Sequence, residues 1–455
     1  MYNIVSPNES IIKQIYYFAK HGINNVEQNN IEMLFREIEK NDISLASFYK
    51  QSEYNYCKKS HKRCLIYNTL YNTMVSLSHE EYRQYIGNEG VNEEDEKFFV
   101  SNGLWVEDDL DERKGYLSLV KVRHLNSHPE PTLILATTQK CNAHCAYCYE
   151  KGIEHKDFPI EKIDNLVKFI SNLDRNKAVH ITWFGGEPLM NIAFIDGVVR
   201  KLREAGVPYY TSMISNASLI TEELVKEYFP VWNMKHIQVT LDGTKDEYER
   251  IKAYDDKNLG RFENIINNIT VISKYKVSVD IRVNIDQKNI EDVHKLFNQL
   301  EKIYGDNTMV RYYPAFINGS SCDVPVESRV DVLYNILKLM KDPAKVMSVN
   351  RLYNQPLTAP CHRAQPNAFS IDAEGNVYKC EHDIGRPDNK LGDILAGVDD
   401  EERRKNVAQL REECEKCVFS PKCYGGCGSN FLKSADPCMV DRYIIPAYMS
   451  VILDK

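Results

Sequence analysis

Residues 133–150 read LILATTQKCNAHCAYCYE: a run of strand length passes straight into three cysteines spaced Cys141-x3-Cys145-x2-Cys148. Working outward, LILATT (133–138) is the first of six such runs. The others are HITWFG (180–185), YYTSMIS (209–215), HIQVTL (236–241), VSVDIRV (277–283) and MVRYYPAF (309–316). Their β-branched and aromatic content predicts strands. Between them apolar residues recur at helical spacing, clearest in Ile160, Ile163, Leu166, Val167, Ile170 and Leu173, and in Val293, Leu296, Phe297, Leu300 and Ile303. Strand and helix in alternation predict an α/β fold with a parallel sheet and crossover helices, whose chemistry sits at the C-terminal strand ends. The first cysteines stand at such an end.

The 455 residues are 43% hydrophobic and 27% charged, enough for two or three domains and against disorder. With 57 Lys+Arg against 65 Asp+Glu the net charge is -8, so no basic field invites nucleic acid. No stretch approaches the about 18 apolar residues of a membrane helix, and MYNIVSPNESIIKQ lacks a secretory pattern. A soluble, cytoplasmic protein with neither nucleic acid nor membrane as partner is expected. In that compartment thirteen cysteines point to metal or redox chemistry rather than disulfides.

Cys57, Cys64 and Cys322 are isolated, while the other ten form two groups. Three thiolates on one loop leave one iron of a four-iron cubane open to a substrate or cofactor; a zinc site with an outside fourth ligand is the plainer alternative. The second group runs Cys361-x13-Gly375-x4-Cys380, Cys414-x2-Cys417-x5-Cys423-x3-Cys427, then Cys438. Its CxxC and CxxxC elements alone also suit a zinc ribbon. Seven thiolates are one short of two four-cysteine clusters.

The loop CNAHCAYCYE resembles the radical S-adenosylmethionine (SAM) superfamily, in which three cysteines hold a [4Fe-4S] cluster whose open iron chelates SAM. The resemblance implies a partial (β/α)6 barrel, with Tyr147 packing near the adenine. Gly185-Gly186-Glu187-Pro188, ending the second strand, is similar to the family's GGEP motif, with Glu187 accepting from the SAM ammonium. Ser215 and Asn216, ending the third, match positions that contact the SAM ribose or carboxylate. VTLDGTKDEYER looks like the family's S-x-D-G segment, with Thr240 for serine and Arg250 as a contact for the SAM carboxylate. Asn284 matches a further polar position. No catalytic base is identifiable from the spacing.

The seven later cysteines resemble the SPASM domain of peptide-modifying radical SAM enzymes, implying two auxiliary [4Fe-4S] clusters and three in all. By that resemblance Cys361, Cys380 and Cys427 hold the first, and Cys414, Cys417, Cys423 and Cys438 the second. The ligand missing from the first would be a non-cysteine residue, Cys322 or the substrate. The strand, strand, helix, helix, strand pattern over 62–106 resembles the winged-helix-like element with which enzymes of ribosomally made peptides bind a leader by strand addition. The chain divides accordingly into a helical cap (1–55), the peptide-recognition module (56–125), the radical SAM core (126–325) and the SPASM domain (326–455).

These resemblances imply a maturase that abstracts hydrogen from a ribosomally synthesised precursor peptide and forms a crosslink, with a thioether favoured over a carbon–carbon or ether bond. A flavodoxin or ferredoxin would supply electrons. An anaerobic sulfatase-maturating enzyme, which makes formylglycine, is the alternative; its kind usually carries eight cysteines in this region. A noncatalytic zinc adaptor is a third reading, in which the GGEP segment has no role.

Overall fold

The computed structural model describes residues 1–22, 31–40, 48–87, 91–126, 130–148, 150–173, 177–317, 324–343, 346, 349, 361–398, 412–423, 426–427, 438 and 441–455. Cys322 lies outside them. Its centre is a run of six parallel strands: β7 (Thr132–Thr138), β8 (Val179–Gly185), β9 (Tyr209–Ser215), β10 (Met234–Leu241), β11 (Ser278–Ile285) and β12 (Val310–Phe316). They lie side by side in chain order, the arrangement of a partial (β/α)6 barrel. Helices α6 (Ile163–Ser171), α7 (Ile192–Glu204), α8 (Glu222–Trp232), α9 (Lys245–Lys252), α10 (Phe262–Lys274) and α11 (Ile290–Tyr304) make the crossovers.

Local sequence accounts for these elements. The apolar stripe Ile163, Leu166, Val167 and Ile170 buries α6 against the sheet. Thr221 caps α8 by accepting the Leu224 N–H at 3.2 Å. Asn233 ends it in the left-handed conformation, φ 51°. Trp183, Ile181, Ile237, Val239, Val279 and Ile281 form the layer beneath the helices, each fully buried.

Before the barrel, β1 (Tyr2–Val5), β3 (Asn55–Lys59), β4 (Cys64–Asn68) and β5 (Thr73–Leu77) form an antiparallel sheet ordered β1-β5-β4-β3. Beside it are α1 (Glu9–His21), α2 (Ile31–Lys40), α3 (His79–Gly87), α4 (Glu93–Ser101) and α5 (Glu112–Asn126). The expected strand, strand, helix, helix, strand succession is β4, β5, α3, α4, β6. However, β6 (Trp105–Glu107) pairs with β2 (Tyr49–Gln51) in a separate ribbon. Tyr49–Gln51, within the expected helical cap, is therefore a strand. The β1–β5 and β2–β6 pairings both cross the division drawn at residue 55.

After the barrel, β13 (Ala368–Ile371) adds parallel to β7, and β14 (Asn376–Tyr378), β15 (Gly392–Asp393) and β16 (Gly397–Val398) continue the same sheet antiparallel. Gly375, between β13 and β14, has φ 88° and faces Ile394 so closely that a Cβ would lie 2.9 Å from its Cδ1. The last helix, Asp441–Asp454, lies on the N-terminal sheet, where Lys58 Nζ donates to the Pro446 carbonyl (3.2 Å) and Arg63 Nη2 to that of Ile452 (2.7 Å). Among the described residues no helix is long and apolar enough to cross a membrane.

Candidate functional site

The cysteine loop leaves the end of β7 and is tied to the ends of the next three strands. From β8, the Gly186 N–H donates to the Thr138 carbonyl (3.1 Å) and the Glu187 N–H to that of Lys140 (2.9 Å). From β9, Asn216 Nδ2 donates to Asn142 Oδ1 (2.8 Å), and Asn142 Nδ2 donates to Ser218 Oγ (2.9 Å). Beyond β10, the His144 N–H donates to the Lys252 carbonyl (2.8 Å) and the Asp255 N–H to that of Asn142 (3.0 Å).

This crowding explains the two glycines. Gly185 has φ 118°, and a Cβ there would lie 1.9 Å from the Thr138 carbonyl oxygen; at Gly186 it would lie 2.3 Å from that of Lys140 and 2.9 Å from Cys141 Cβ. What approaches these glycines is the cysteine loop itself. Gly186→Ala should therefore push the loop away, costing about 1–3 kcal/mol by overpacking. Chemical denaturation of wild type and variant, with iron content determined on both, measures the two effects.

Glu187 is fully buried and saturated by this chain's own donors: Ser215 Oγ at 2.9 and 3.1 Å, the Asn216 N–H at 2.8 Å and the Leu189 N–H at 3.2 Å. Burial pushes its pKa up to about 7 against these bonds. Ser215, Asn216 and Glu187, read separately from the sequence, thus form one unit joining the β8 and β9 ends. Asn284 is buried and accepts from Arg282 Nε at 2.9 Å.

Arg250 is not turned to the loop. It lies on the outer side of α9, 62% exposed, with its guanidinium on Glu247 (2.6 and 2.8 Å). The cation beside the cysteines is Lys252, 4% exposed, whose Nζ stands 3.0 Å from Asp242 Oδ2 and donates to the Tyr147 hydroxyl at 3.1 Å. Tyr147 in turn donates to Asp242 Oδ2 at 2.7 Å. Burial works against a charged Lys252, but Asp242, with Cys145 nearby, outweighs it and holds the pKa well above the usual lysine value. Sequence reasoning missed Lys252, Asp242, Asn142 and Ser218. Helical spacing held the signal for Lys252, since Tyr248, Ile251 and Lys252 share the buried side of α9 while Arg250 falls opposite.

Cys141 and Cys145 are half-buried and Cys148 exposed. Burial pushes the Cys141 thiol up to about 12. In the second group Cys361 is near enough to interact with both Cys380 and Cys427. Cys414, Cys417 and Cys423 share one compact segment, in which Cys417 N–H donates to the Cys414 carbonyl at 3.1 Å. Cys438 accepts from Arg442 Nη1 at 2.8 Å, and that arginine also feels Cys417.

Among the described residues no three His, Cys, Asp or Glu side chains gather tightly enough for one metal ion, which asks for sulfurs about 2.3 Å from a common point. A four-iron cluster is a wider body held at its corners. The donor set fits one: three thiolates share the loop, and Asn216 Nδ2 stands 4.0 Å from Cys141 Sγ, a donor of the kind that steadies a cluster's thiolates and tunes its potential.

The family model of the Radical SAM superfamily matches residues 135–300. The cysteine-type anaerobic sulfatase-maturating enzyme of Clostridium novyi (strain NT) is 25% identical over 337 residues, covering 66% of this chain and 87% of its own. Its counterpart in Clostridium perfringens (strain 13 / Type A) is 22% identical over 349 residues, covering 66% and 89%. Among solved structures, native anSMEcpe with bound AdoMet and Cp18Cys peptide has a TM-score of 0.55 at 19% identity, covering 71% of this chain and 96% of that one. The fold is thus shared. Residues 135–300, from within the strand that launches the cysteine loop to within α11, are a radical SAM domain, so the chain is an enzyme for which SAM and a [4Fe-4S] cluster are implied as cofactors.

Proposed function

We propose that the chain is a peptide maturase that abstracts hydrogen from a residue of a ribosomally synthesised precursor and closes an intramolecular crosslink, with a thioether as the favoured bond. The observation that carries the radical half of this reading is the loop of Cys141, Cys145 and Cys148 fastened at three strand ends beside Glu187, Asn216 and Lys252. Cys141, Cys145 and Cys148 would hold a [4Fe-4S] cluster, which would supply the electron for reductive cleavage of SAM. Lys252 takes the role first read at Arg250, a cation for the SAM carboxylate. Asn216 and Asn284 offer polar contacts to SAM, and Tyr147, its hydroxyl fixed by Asp242, offers a ring edge to the adenine. The sheet and its helices keep water from the radical.

Cys361, Cys380 and Cys427, with Cys414, Cys417, Cys423 and Cys438, are proposed to hold two auxiliary clusters. The first lacks one protein thiolate and so has room for the peptide's cysteine. The leader is proposed to add along the N-terminal sheet, whose β1 edge carries the exposed Tyr2 and Asn3. An external flavodoxin or ferredoxin, in the cytoplasm, completes the system.

The curated relatives favour a second reading, oxidation of a protein cysteine to formylglycine. Against it stand the seven cysteines and the third of this chain that the alignment to these relatives leaves unmatched. Offering the Cp18Cys peptide to reconstituted enzyme with SAM and dithionite separates the two. The crosslinking account expects no aldehyde product; formylglycine in that peptide would decide for the second reading.

A further inference from the structure

The inner face of the barrel is apolar at β7–β9, where Ile134, Ala136, Phe184 and Ile214 gather, and polar over β10–β12. On β11, Val279, Ile281 and Val283 are fully buried beneath the helices, so strand alternation turns Asp280, Arg282 and Asn284 to the inner face. Asp280 is paired there with Arg311 (2.7 and 3.0 Å) and stands 3.0 Å from His236 Nε2. Tyr313 on β12 donates to Gln238 on β10 at 2.7 Å, reaching across β11. Arg282 differs from these neighbours. It is half-buried, its Nε is fixed on Asn284 Oδ1 at 2.9 Å, and among the described residues no carboxylate pairs with it. Its charge reaches His382, on the turn that carries Cys380. The guanidinium is thus held beside Asn284, near the C-terminal end of β11, the end at which the cysteine loop lies.

Keeping a guanidinium partly out of water without a counter-charge is unfavourable. Its two terminal nitrogens form a fork suited to a carboxylate. We propose that Arg282 binds a carboxylate of the peptide substrate, on an Asp or Glu side chain near the residue that loses hydrogen, and so selects acidic core sequences. This rests on the peptide-modifying reading above. The other source of a carboxylate at this place is the methionyl group of SAM.

The test is protection of Arg282 from phenylglyoxal in the anaerobically reconstituted holoenzyme, resolved by peptide mass spectrometry. The probes are SAM alone, and SAM with the acetylated peptide amide Cys-Ala-Asp-Ala or its amide twin Cys-Ala-Asn-Ala, at millimolar concentration. The acidic peptide should slow modification of Arg282 by about threefold or more relative to its twin, while SAM alone leaves the rate unchanged. Protection by SAM alone would give the guanidinium to SAM, and equal rates with the two peptides would leave no acidic preference; either overturns the proposal. In parallel, the carbon-deuterated acidic peptide is tested for deuterium transfer into 5′-deoxyadenosine. Arg282 protection without transfer would uphold the carboxylate site while counting against hydrogen abstraction from the peptide, so the two failures are distinct.

Discussion

Replacing Cys148 with alanine is expected to abolish SAM cleavage. The three loop cysteines are the whole thiolate supply at the end of β7, and two thiolates do not retain a cubane that leaves one iron for SAM. The surrounding contacts would survive, because the loop is fastened through Lys140, Asn142 and His144 rather than through Cys148. The variant should fold, lose the loop's iron and form 5′-deoxyadenosine at least about a thousandfold more slowly, since the cofactor carries the difficult chemistry. Cys57→Ala, in the N-terminal sheet, serves as the control and should keep its rate. A Cys148→Ala enzyme within about tenfold of wild type would contradict the assignment of this loop.

Lys252→Met should produce the largest loss of stability. It leaves the carboxylate of Asp242, 0% exposed, with the Tyr147 hydroxyl in place of an ion pair. Breaking a buried pair from one side costs about 3–5 kcal/mol, because the remaining charge stays desolvated. Removing both charges in Lys252→Met/Asp242→Asn should recover much of that cost. Chemical denaturation of the two variants measures it. If the single variant were as stable as wild type, Asp242 would have to be served by other donors. If the double variant were the less stable of the two, the pair would not be the source of the effect.

All six barrel strands were legible because each buries one side under helices, so β-branched and aromatic residues fill a window of fixed length. YYTSMIS matches β9 residue for residue, and the other five strands begin or end within two residues of the runs read from the sequence. The strand β1 was not legible. Its four residues bury only Val5, and its partner β5 lies some seventy positions on. The same holds for β2 and for β13, which extends the barrel sheet from beyond the last barrel strand, while β6 was read as a strand and only its pairing with β2 was not: non-local pairing leaves no periodic trace. In the site, the cysteine spacings and GGEP were readable as patterns. Residue type alone points to Arg250, but the two positions from Arg250 to Lys252 are about 200° of helix, which puts Lys252 inside and Arg250 outside. The S-x-D-G resemblance marks Asp242 without its role, because its partners Lys252 and Tyr147 come from two other segments.

Iron and acid-labile sulfide, determined with the absorption spectrum on protein purified and reconstituted without oxygen, test the central claim most directly. The account predicts about twelve irons per chain with brown charge-transfer absorption, one cubane at the SAM loop and two on the later cysteines. About four irons with zinc in the later cysteines would leave a SAM-cleaving enzyme without auxiliary clusters and would contradict the crosslinking chemistry proposed for it.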